Sequence, residues 1–256
     1  MVDAQYSLIN FDPPGAATPD KHLFPRNTRV LLAGSSGSGK TNCFLNIISR
    51  GWLAPFDRLM VFSKSMHQDK YRRLIDHFST DGKLDESVVF TDDDDRIPDL
   101  SNFEYERVER KVSKKGKVTE KTVPIYTLLV FDDYLCASKA VLQRITDLFI
   151  RSRHFNCTCF FLSQSFFRTP KTLRLQCDQL VIFCPISTRE SNLIFQECSA
   201  DIDLRTFQRM LKVVNDEPYQ FLFIDKYARK VWLRYRLCFD RTFKELVPAR
   251  AIKNPT

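Results

Sequence analysis

The chain has 256 residues, of which 43% are hydrophobic and 27% charged, and its formal net charge is +8 at pH 7. This composition excludes a disordered chain, and the length allows one substantial core. No apolar stretch approaches the roughly 18 residues that a membrane-spanning helix needs, so no membrane association is expected. Only seven glycines are present, and three of them fall between residues 34 and 39, which singles out that segment.

Strand-forming and helix-forming segments alternate along the chain. Short apolar runs predict strands at residues 29–33, 59–62, 88–90, 125–131, 157–162 and 180–183. Helical spacing of apolar residues predicts helices at 40–49, 69–78, 138–154, 188–197 and 203–213. Two last β-prone segments, 219–224 and 230–236, are predicted to pair as a C-terminal β-hairpin. The alternation predicts an α/β fold with a mainly parallel sheet flanked by helices.

The main domain is predicted to span residues 29–240. A proline-rich extended arm at 1–28 leads into it, and a basic tail at 241–256 follows it. Within the domain, residues 92–122 change from acidic to basic and are interpreted as a charged hairpin insertion. Basic segments of this kind attract polyanions, nucleic acid above all, although an ordinary solvated surface is the alternative.

The eight cysteines show no Cys-x-x-Cys pair, and only four histidines are present. A structural zinc site is therefore not expected. Several of the cysteines lie in apolar segments, where a reduced thiol acts as a small hydrophobic group, so a reducing compartment is expected.

Residues 34–41 match the phosphate-binding pattern G-x-x-x-x-G-K-[ST] in full, between a predicted strand and a predicted helix. The candidate nucleotide-binding residues are Gly34, Ser35, Ser36, Gly37, Ser38, Gly39, Lys40 and Thr41. Glycines let successive backbone N–H groups point at phosphate oxygens, and the helix adds its positive dipole end. Lys40 is predicted to reach the β- and γ-phosphates of ATP, and the Thr41 hydroxyl to bind Mg²⁺. A plain Gly/Ser turn is the alternative.

Two acids, Asp132 and Asp133, end the predicted strand at 125–131. Ligands of open α/β sheets bind at the carboxyl ends of the strands. Asp132 is therefore predicted to hold Mg²⁺, and Asp133 to orient and polarise the attacking water. Taken alone, an apolar run that ends in two aspartates could also be a turn.

Polar and basic residues surround the next predicted strand. Gln164 follows that strand and is predicted to hydrogen-bond the γ-phosphate or the water, although a simple strand-end turn residue is the alternative. Arg151 and Arg153 end the preceding helix, where they complement the helix dipole. They could also enter a neighbouring subunit's nucleotide site as an arginine finger.

Together, the segments 32–41, 129–133 and 151–164 resemble the FtsK/HerA branch of P-loop ATPases. Within it they look most like the genome-packaging ATPases of large double-stranded DNA viruses, poxviruses included, and of virophages and Polinton-like transposons. The resemblance implies a RecA-like (ASCE) fold with the strand that precedes Gln164 lying between the other two motif strands. One departure is Asp132-Asp133, since cellular members commonly carry Asp-Glu there.

The resemblance also implies a homo-oligomeric ring, a hexamer or pentamer, that threads duplex DNA through its channel. It also implies an arginine that acts in trans, in the nucleotide site of the neighbouring subunit. Arg153 is the first candidate for this arginine and Arg151 is the second. Capsid or portal proteins are candidate partners, and the expected location is a viral assembly site in the host cytoplasm or nucleus, or the virion. Basic candidates for DNA contact are the 107–121 hairpin and Arg168, Lys171 and Arg174.

The predicted function is thus an ATP-hydrolysing, DNA-translocating motor that packages a viral double-stranded DNA genome. A replicative helicase or AAA+ remodelling ATPase is the alternative enzyme, because it shares the first two motifs. A nucleotide-regulated switch or a structural DNA-binding protein, neither of which would hydrolyse ATP in repeated cycles, is the non-enzymatic alternative.

Overall fold

A computed structural model describes residues 22–80, 83–112, 118–185, 187–199 and 201–243. Residues 1–21 of the predicted arm, most of the tail and the tip of the charged hairpin lie outside these residues. Among the described helices, none is both long and apolar enough to cross a membrane.

Strands and helices alternate as the sequence predicts. The strands are β1 Arg29–Ala33, β2 Arg58–Ser63, β3 Ser79–Thr80, β4 Lys83–Leu84, β5 Val88–Thr91, β6 Glu106–Val112, β7 Val118–Pro124, β8 Thr127–Asp132, β9 Cys157–Ser163, β10 Gln179–Phe183, β11 Phe221–Asp225, β12 Tyr235–Leu237 and β13 Arg241–Thr242. The helices are α1 Lys40–Ser49, α2 Asp69–His77, α3 Lys139–Arg151, α4 Lys171–Gln176, α5 Thr188–Cys198, α6 Leu204–Asn215 and α7 Val231–Arg234.

Nine strands form the central sheet in the order β13-β12-β11-β10-β1-β9-β8-β2-β5. The six strands from β10 to β5 are parallel, and the other three are antiparallel. Strand β9 lies between β1 and β8, which is the order that the resemblance implies. The predicted fold class, a mainly parallel sheet flanked by helices, is confirmed.

Each face of the sheet carries its own hydrophobic core, because side chains alternate along buried strands. In β1, Leu31 and Ala33 belong to the core that α3 to α6 cover, whereas Val30 and Leu32 belong to the core under α1 and α2. The result is a three-layer domain. Both faces of the strands next to the phosphate loop are therefore buried, and only their ends meet solvent.

Phe24, within the predicted arm, is fully buried. Its ring packs against Phe160 of β9 and against Phe223 and Phe239 at centroid distances of 5.5–6.0 Å. The described end of the arm is thus part of the core under α1.

The C-terminal hairpin exists as a pairing of β11 with β12, with Leu222 opposite Leu237. The predicted strand at 230–236 is wrong in its first half, because residues Val231–Arg234 form a helical turn. That turn brings Arg234 to Asp201, with 2.6 Å between Nη1 and Oδ2, so a tertiary ion pair overrides the β-propensity of Val231 and Trp232. Strand β13, inside the predicted tail, extends the sheet further.

The charged insertion contains a separate two-stranded hairpin, β6 with β7. Two of its arginines are ion-paired within it, Arg107 to Glu109 at 3.2 Å and Arg110 to Glu120 at 2.7 Å. These four charges offset one another, which weakens the case for the described part of the hairpin as a DNA contact.

The amino-terminal ends of β1 and β10 are joined by Asp178, a buried carboxylate. Its oxygens accept hydrogen bonds from the backbone N–H and guanidinium of Arg29, at 2.9 Å each, and from Arg153 and Tyr227 at 2.8 Å each. Arg29 is itself buried. A buried carboxylate and guanidinium each need the other, because neither has water to stabilise its charge.

Replacing Asp178 by alanine should lower the free energy of unfolding by about 3–5 kcal/mol, because it leaves the Arg29 guanidinium buried without a counter-charge. Chemical denaturation would measure the loss. Asp69→Ala is the matched control, since its carboxylate is exposed and 3.4 Å from Arg72, and its effect should be much smaller. Equal losses in the two variants would contradict the assignment.

Candidate nucleotide-binding site

The predicted phosphate loop joins the end of β1 to the start of α1. The Gly34 N–H donates to the Ser163 carbonyl of β9 at 3.1 Å, which ties the loop to the sheet. A β-carbon on Gly34 would lie 2.5 Å from Cβ of Phe183, so the approach to β10 requires glycine. Gly39 has φ +101°, a conformation that side-chain-bearing residues rarely adopt.

The loop ends at a helix N-terminus without a side-chain cap. Gly39 is the N-cap residue of α1, and the first turn of α1 contains no acid, whereas α3 and α5 are capped by Ser138 and Ser187. The Ser38 hydroxyl is buried and has no hydrogen-bond partner among the described residues. Backbone donors at a helix start and an unpaired buried hydroxyl fit an anion such as phosphate.

Lys40 is 8% exposed. Its Nζ donates to the carbonyls of Gly34 at 2.7 Å and Ser35 at 2.8 Å, so the amine lies inside the curve of the loop. Burial lowers the pKa of Lys40 below its usual value, and the nearby charges of Asp132 and Asp133 oppose that shift. The Lys40 ammonium therefore has only backbone carbonyl partners inside the loop among the hydrogen bonds of the described residues.

Asp132 ends β8 and is 7% exposed. Burial raises its pKa, and the hydrogen bond from Tyr71 and the charge of Lys40 oppose that rise. The Tyr71 hydroxyl, on α2, donates to Oδ2 of Asp132 at 2.5 Å. The carboxylate is thus held in one orientation from the neighbouring helix.

Asp133 and Gln164 are in direct contact. The Gln164 amide donates from Nε2 to Oδ1 of Asp133 at 2.7 Å, and the Ser65 hydroxyl donates to Oδ2 at 3.4 Å. Asp133 also has φ +63°, a left-handed conformation that aspartate tolerates better than most residues. The structure therefore brings together the loop, Asp132, Asp133 and Gln164 at the carboxyl edge of the sheet.

Two buried charged residues, Arg174 and Glu190, hold segment 164–170 in place. The Arg174 guanidinium donates to the carbonyls of Phe167, at 3.1 Å, and Thr169, and it pairs with both carboxylate oxygens of Glu197 at 2.7 and 2.8 Å. Arg174 is therefore a structural residue, and its prediction as a DNA contact is wrong. Glu190 accepts from the Ser165 hydroxyl and the Phe167 N–H at 2.9 and 3.1 Å.

The two candidate finger arginines lie elsewhere. Arg153 contacts Asp178 and Tyr227 at the amino-terminal edge of the sheet, opposite the phosphate loop. Arg151 ends α3 on the same side and is exposed. Neither side chain belongs to the nucleotide site of its own subunit, so any catalytic role would have to be in trans.

Sequence reasoning missed Tyr71 and Ser65, which hold the two aspartates. Tyr71 precedes Leu74 by three positions on a mostly polar helix, a pattern that an ordinary core aromatic also gives. No motif marks a hydroxyl donor that comes from another helix, so only the tertiary structure reveals the contact.

A phosphate loop after β1, two carboxylates at the end of β8 and an amide after the strand between them define a P-loop ATPase. The family model described as "Poxvirus A32 protein" matches residues 19–247, and the chain belongs to this family. The match confirms the resemblance that the sequence motifs indicated.

Solved structures share the fold. The crystal structure of B204, the DNA-packaging ATPase from Sulfolobus turreted icosahedral virus, gives a TM-score of 0.52 at 14% identity and covers 84% of this chain and 98% of that chain. EssC (ATPases 2 and 3) from Geobacillus thermodenitrificans gives 0.50 at 10% identity, covering 84% of this chain and 40% of that chain. No curated protein matches the chain in sequence.

Replacing Tyr71 by phenylalanine removes only the hydroxyl that orients Asp132. A hydrogen bond to a charged group contributes about 1.5–3 kcal/mol, so kcat for ATP hydrolysis should fall about tenfold or more. The KM for ATP should change little, because the phosphate loop is untouched. Steady-state kinetics would separate the two parameters.

Tyr105→Phe is the control, since Tyr105 lies near the amino-terminal edge, where its carbonyl accepts from Asn156. An unchanged kcat in Tyr71→Phe would show that the contact with Asp132 has no part in turnover.

Proposed function

We propose that this protein is the ATP-hydrolysing motor that packages a viral double-stranded DNA genome. The observation that carries the proposal is the Asp133–Gln164 contact beside a complete phosphate loop, in a chain of the poxvirus A32 protein family. B204, which shares the fold, is a DNA-packaging ATPase.

ATP binds through the loop at 34–41. The backbone N–H groups of the loop and of the first turn of α1 hold the phosphates, and Gly37 and Gly39 permit the positive φ angles of the turn. The Lys40 amine moves from the carbonyls of Gly34 and Ser35 to the β- and γ-phosphates, where it offsets negative charge during bond cleavage.

The residues present fit Mg²⁺. The Thr41 hydroxyl and the Asp132 carboxylate supply the hard oxygen ligands that this cation prefers. Asp132 is a buried carboxylate with a raised pKa, and a nearby cation would stabilise its ionised form. When bound, Mg²⁺ neutralises charge on the phosphates.

Asp133 orients the attacking water. The Gln164 amide holds Oδ1 at 2.7 Å, and Oδ2, which accepts only the longer 3.4 Å bond from Ser65, has a lone pair for a hydrogen bond from the water. Gln164 is exposed, so its amide is accessible to the γ-phosphate of a bound ATP. Loss of the phosphate changes the partners of Gln164 and thereby links hydrolysis to the segment that follows it.

Segment 164–170 carries the DNA contact. Arg168 and Lys171 are exposed, and the Arg189 guanidinium lies 4.3 Å from the ring centroid of Phe167, which is itself 42% exposed. This cluster of cations at the carboxyl edge suits the phosphate backbone of a duplex, which attracts cations regardless of sequence.

The working assembly is a homo-oligomeric ring of five or six subunits, and capsid or portal proteins are its partners at a viral assembly site, within the infected cell or the virion. A trans-acting arginine completes each nucleotide site. Arg151 is the better placed of the two candidates, because Asp178 holds the Arg153 guanidinium within its own subunit. The arm, domain and tail boundaries at 28 and 240 remain predictions.

Purified protein should hydrolyse ATP, and double-stranded DNA should stimulate it more than single-stranded DNA does. Asp133→Asn should retain ATP binding and lose about 10²–10⁴-fold in kcat, because it removes the group that activates water.

Arg168→Ala should weaken the stimulation of ATPase activity by DNA without changing turnover in the absence of DNA, and Lys139→Ala, at another exposed cation, is the control. A ring stimulated only by single strands would favour a helicase.

Mixing mutant and wild-type subunits tests the arginine. If the sites of the ring fire in sequence, ATPase activity should fall more steeply than simple dilution as the fraction of Arg151→Ala subunits rises, because one site that lacks its neighbour's arginine stops the sequence. Arg153→Ala should instead lower thermal stability, through the loss of its bond to Asp178. A linear loss with Arg151→Ala would contradict this trans role in a ring whose sites fire in sequence.

A further inference from the structure

One exposed aromatic ring lies against the phosphate loop and has no role in the chemistry described above. Tyr219 is 56% exposed and precedes β11. Its Cδ1 atom lies 3.3 Å from the position that a β-carbon would take on Gly39, the last glycine of the loop. The ring thus covers the outer side of the loop next to the start of α1.

The strand order gives the direction of a bound nucleotide. Asp132, Asp133 and Gln164 follow β8 and β9 on one side of β1, whereas Tyr219 precedes β11, which lies beyond β10 on the other side. In the mechanism proposed above, the γ-phosphate lies toward Asp133. The base end of the nucleotide must therefore extend toward the opposite side, where the Tyr219 ring is exposed.

The backbone holds the ring in this position. Tyr219 has φ +66°, which is unusual for a bulky residue. Phe221, two residues on, is paired with Phe183 in the sheet, and the Phe183 side chain packs under Gly34 and Gly39. The segment that bears Tyr219 and the loop that holds the phosphates are thus built on the same pair of strands.

Resting on the ATPase activity proposed above, we propose that Tyr219 is the platform on which the base of the nucleoside triphosphate stacks. An aromatic face accepts any base and supplies affinity without base-specific hydrogen bonds. Tyr219 contributes to nucleotide affinity but not to the bond-breaking step, so its loss raises the KM for ATP and leaves kcat nearly unchanged.

The experiment compares binding of ATP with binding of inorganic tripolyphosphate, which carries the phosphates without a base, by calorimetry on the full chain. Tyr219→Asn removes the ring but suits the left-handed backbone, and it should weaken ATP binding about 5- to 150-fold. Binding of tripolyphosphate should stay as in the wild type. Tyr219→Phe keeps the ring and should bind both compounds as the wild type does.

Tyr105→Asn is the matched control, because it removes a part-exposed tyrosine near the amino-terminal edge of the sheet. Equal weakening of ATP and tripolyphosphate in Tyr219→Asn would mean that the residue shapes the loop and would overturn the inference, as would unchanged ATP binding. Failure of the wild type to bind ATP would instead overturn the proposed function.

Discussion

The pairing of β9 between β1 and β8 is the constraint on which the nucleotide site depends. Ser163 lies opposite Ala33, and Leu162 lies opposite Asp132, so the three strands end within one residue of one another. The residues that follow these ends are Gly34, Asp133 and Gln164. A shift of one strand by one residue would move its functional group to another level and turn its side chains to the other face of the sheet.

Burial of the strand ends gives the site its electrostatic character. Low solvent exposure disfavours the charged forms of both Lys40 and Asp132, which moves their pKa values in opposite directions. Each charge opposes the shift in the other's pKa, and the Tyr71 hydroxyl also stabilises the Asp132 carboxylate. Charges held in this way respond strongly to a polyphosphate and a divalent cation, because little water is present to screen them.

The strands of the parallel sheet and the phosphate loop could be predicted because each is encoded locally, by an apolar run or by a contiguous motif. Their hydrogen-bonding order is not local, and only the family resemblance placed β9 between β1 and β8. Contacts made across the fold had no signal in the sequence. From the sequence alone, Tyr71 is interpreted as a core aromatic, Arg174 as a surface cation and residues 231–234 as part of a strand. Only the fold shows that Tyr71 bonds to Asp132, Arg174 to Glu197 and Arg234 to Asp201.

The hydrogen bonds that hold segment 164–170 in place have a mechanical consequence. Arg174 fixes the carbonyls of Phe167 and Thr169, Glu190 fixes the start of the segment, and both residues are buried on helices packed against the sheet. If hydrolysis displaces Gln164 as proposed, a segment held at these points would pass the displacement on with little deformation. The step length of the motor would then be set by α4 and α5, which carry Arg174 and Glu190, and not by flexibility of the segment itself.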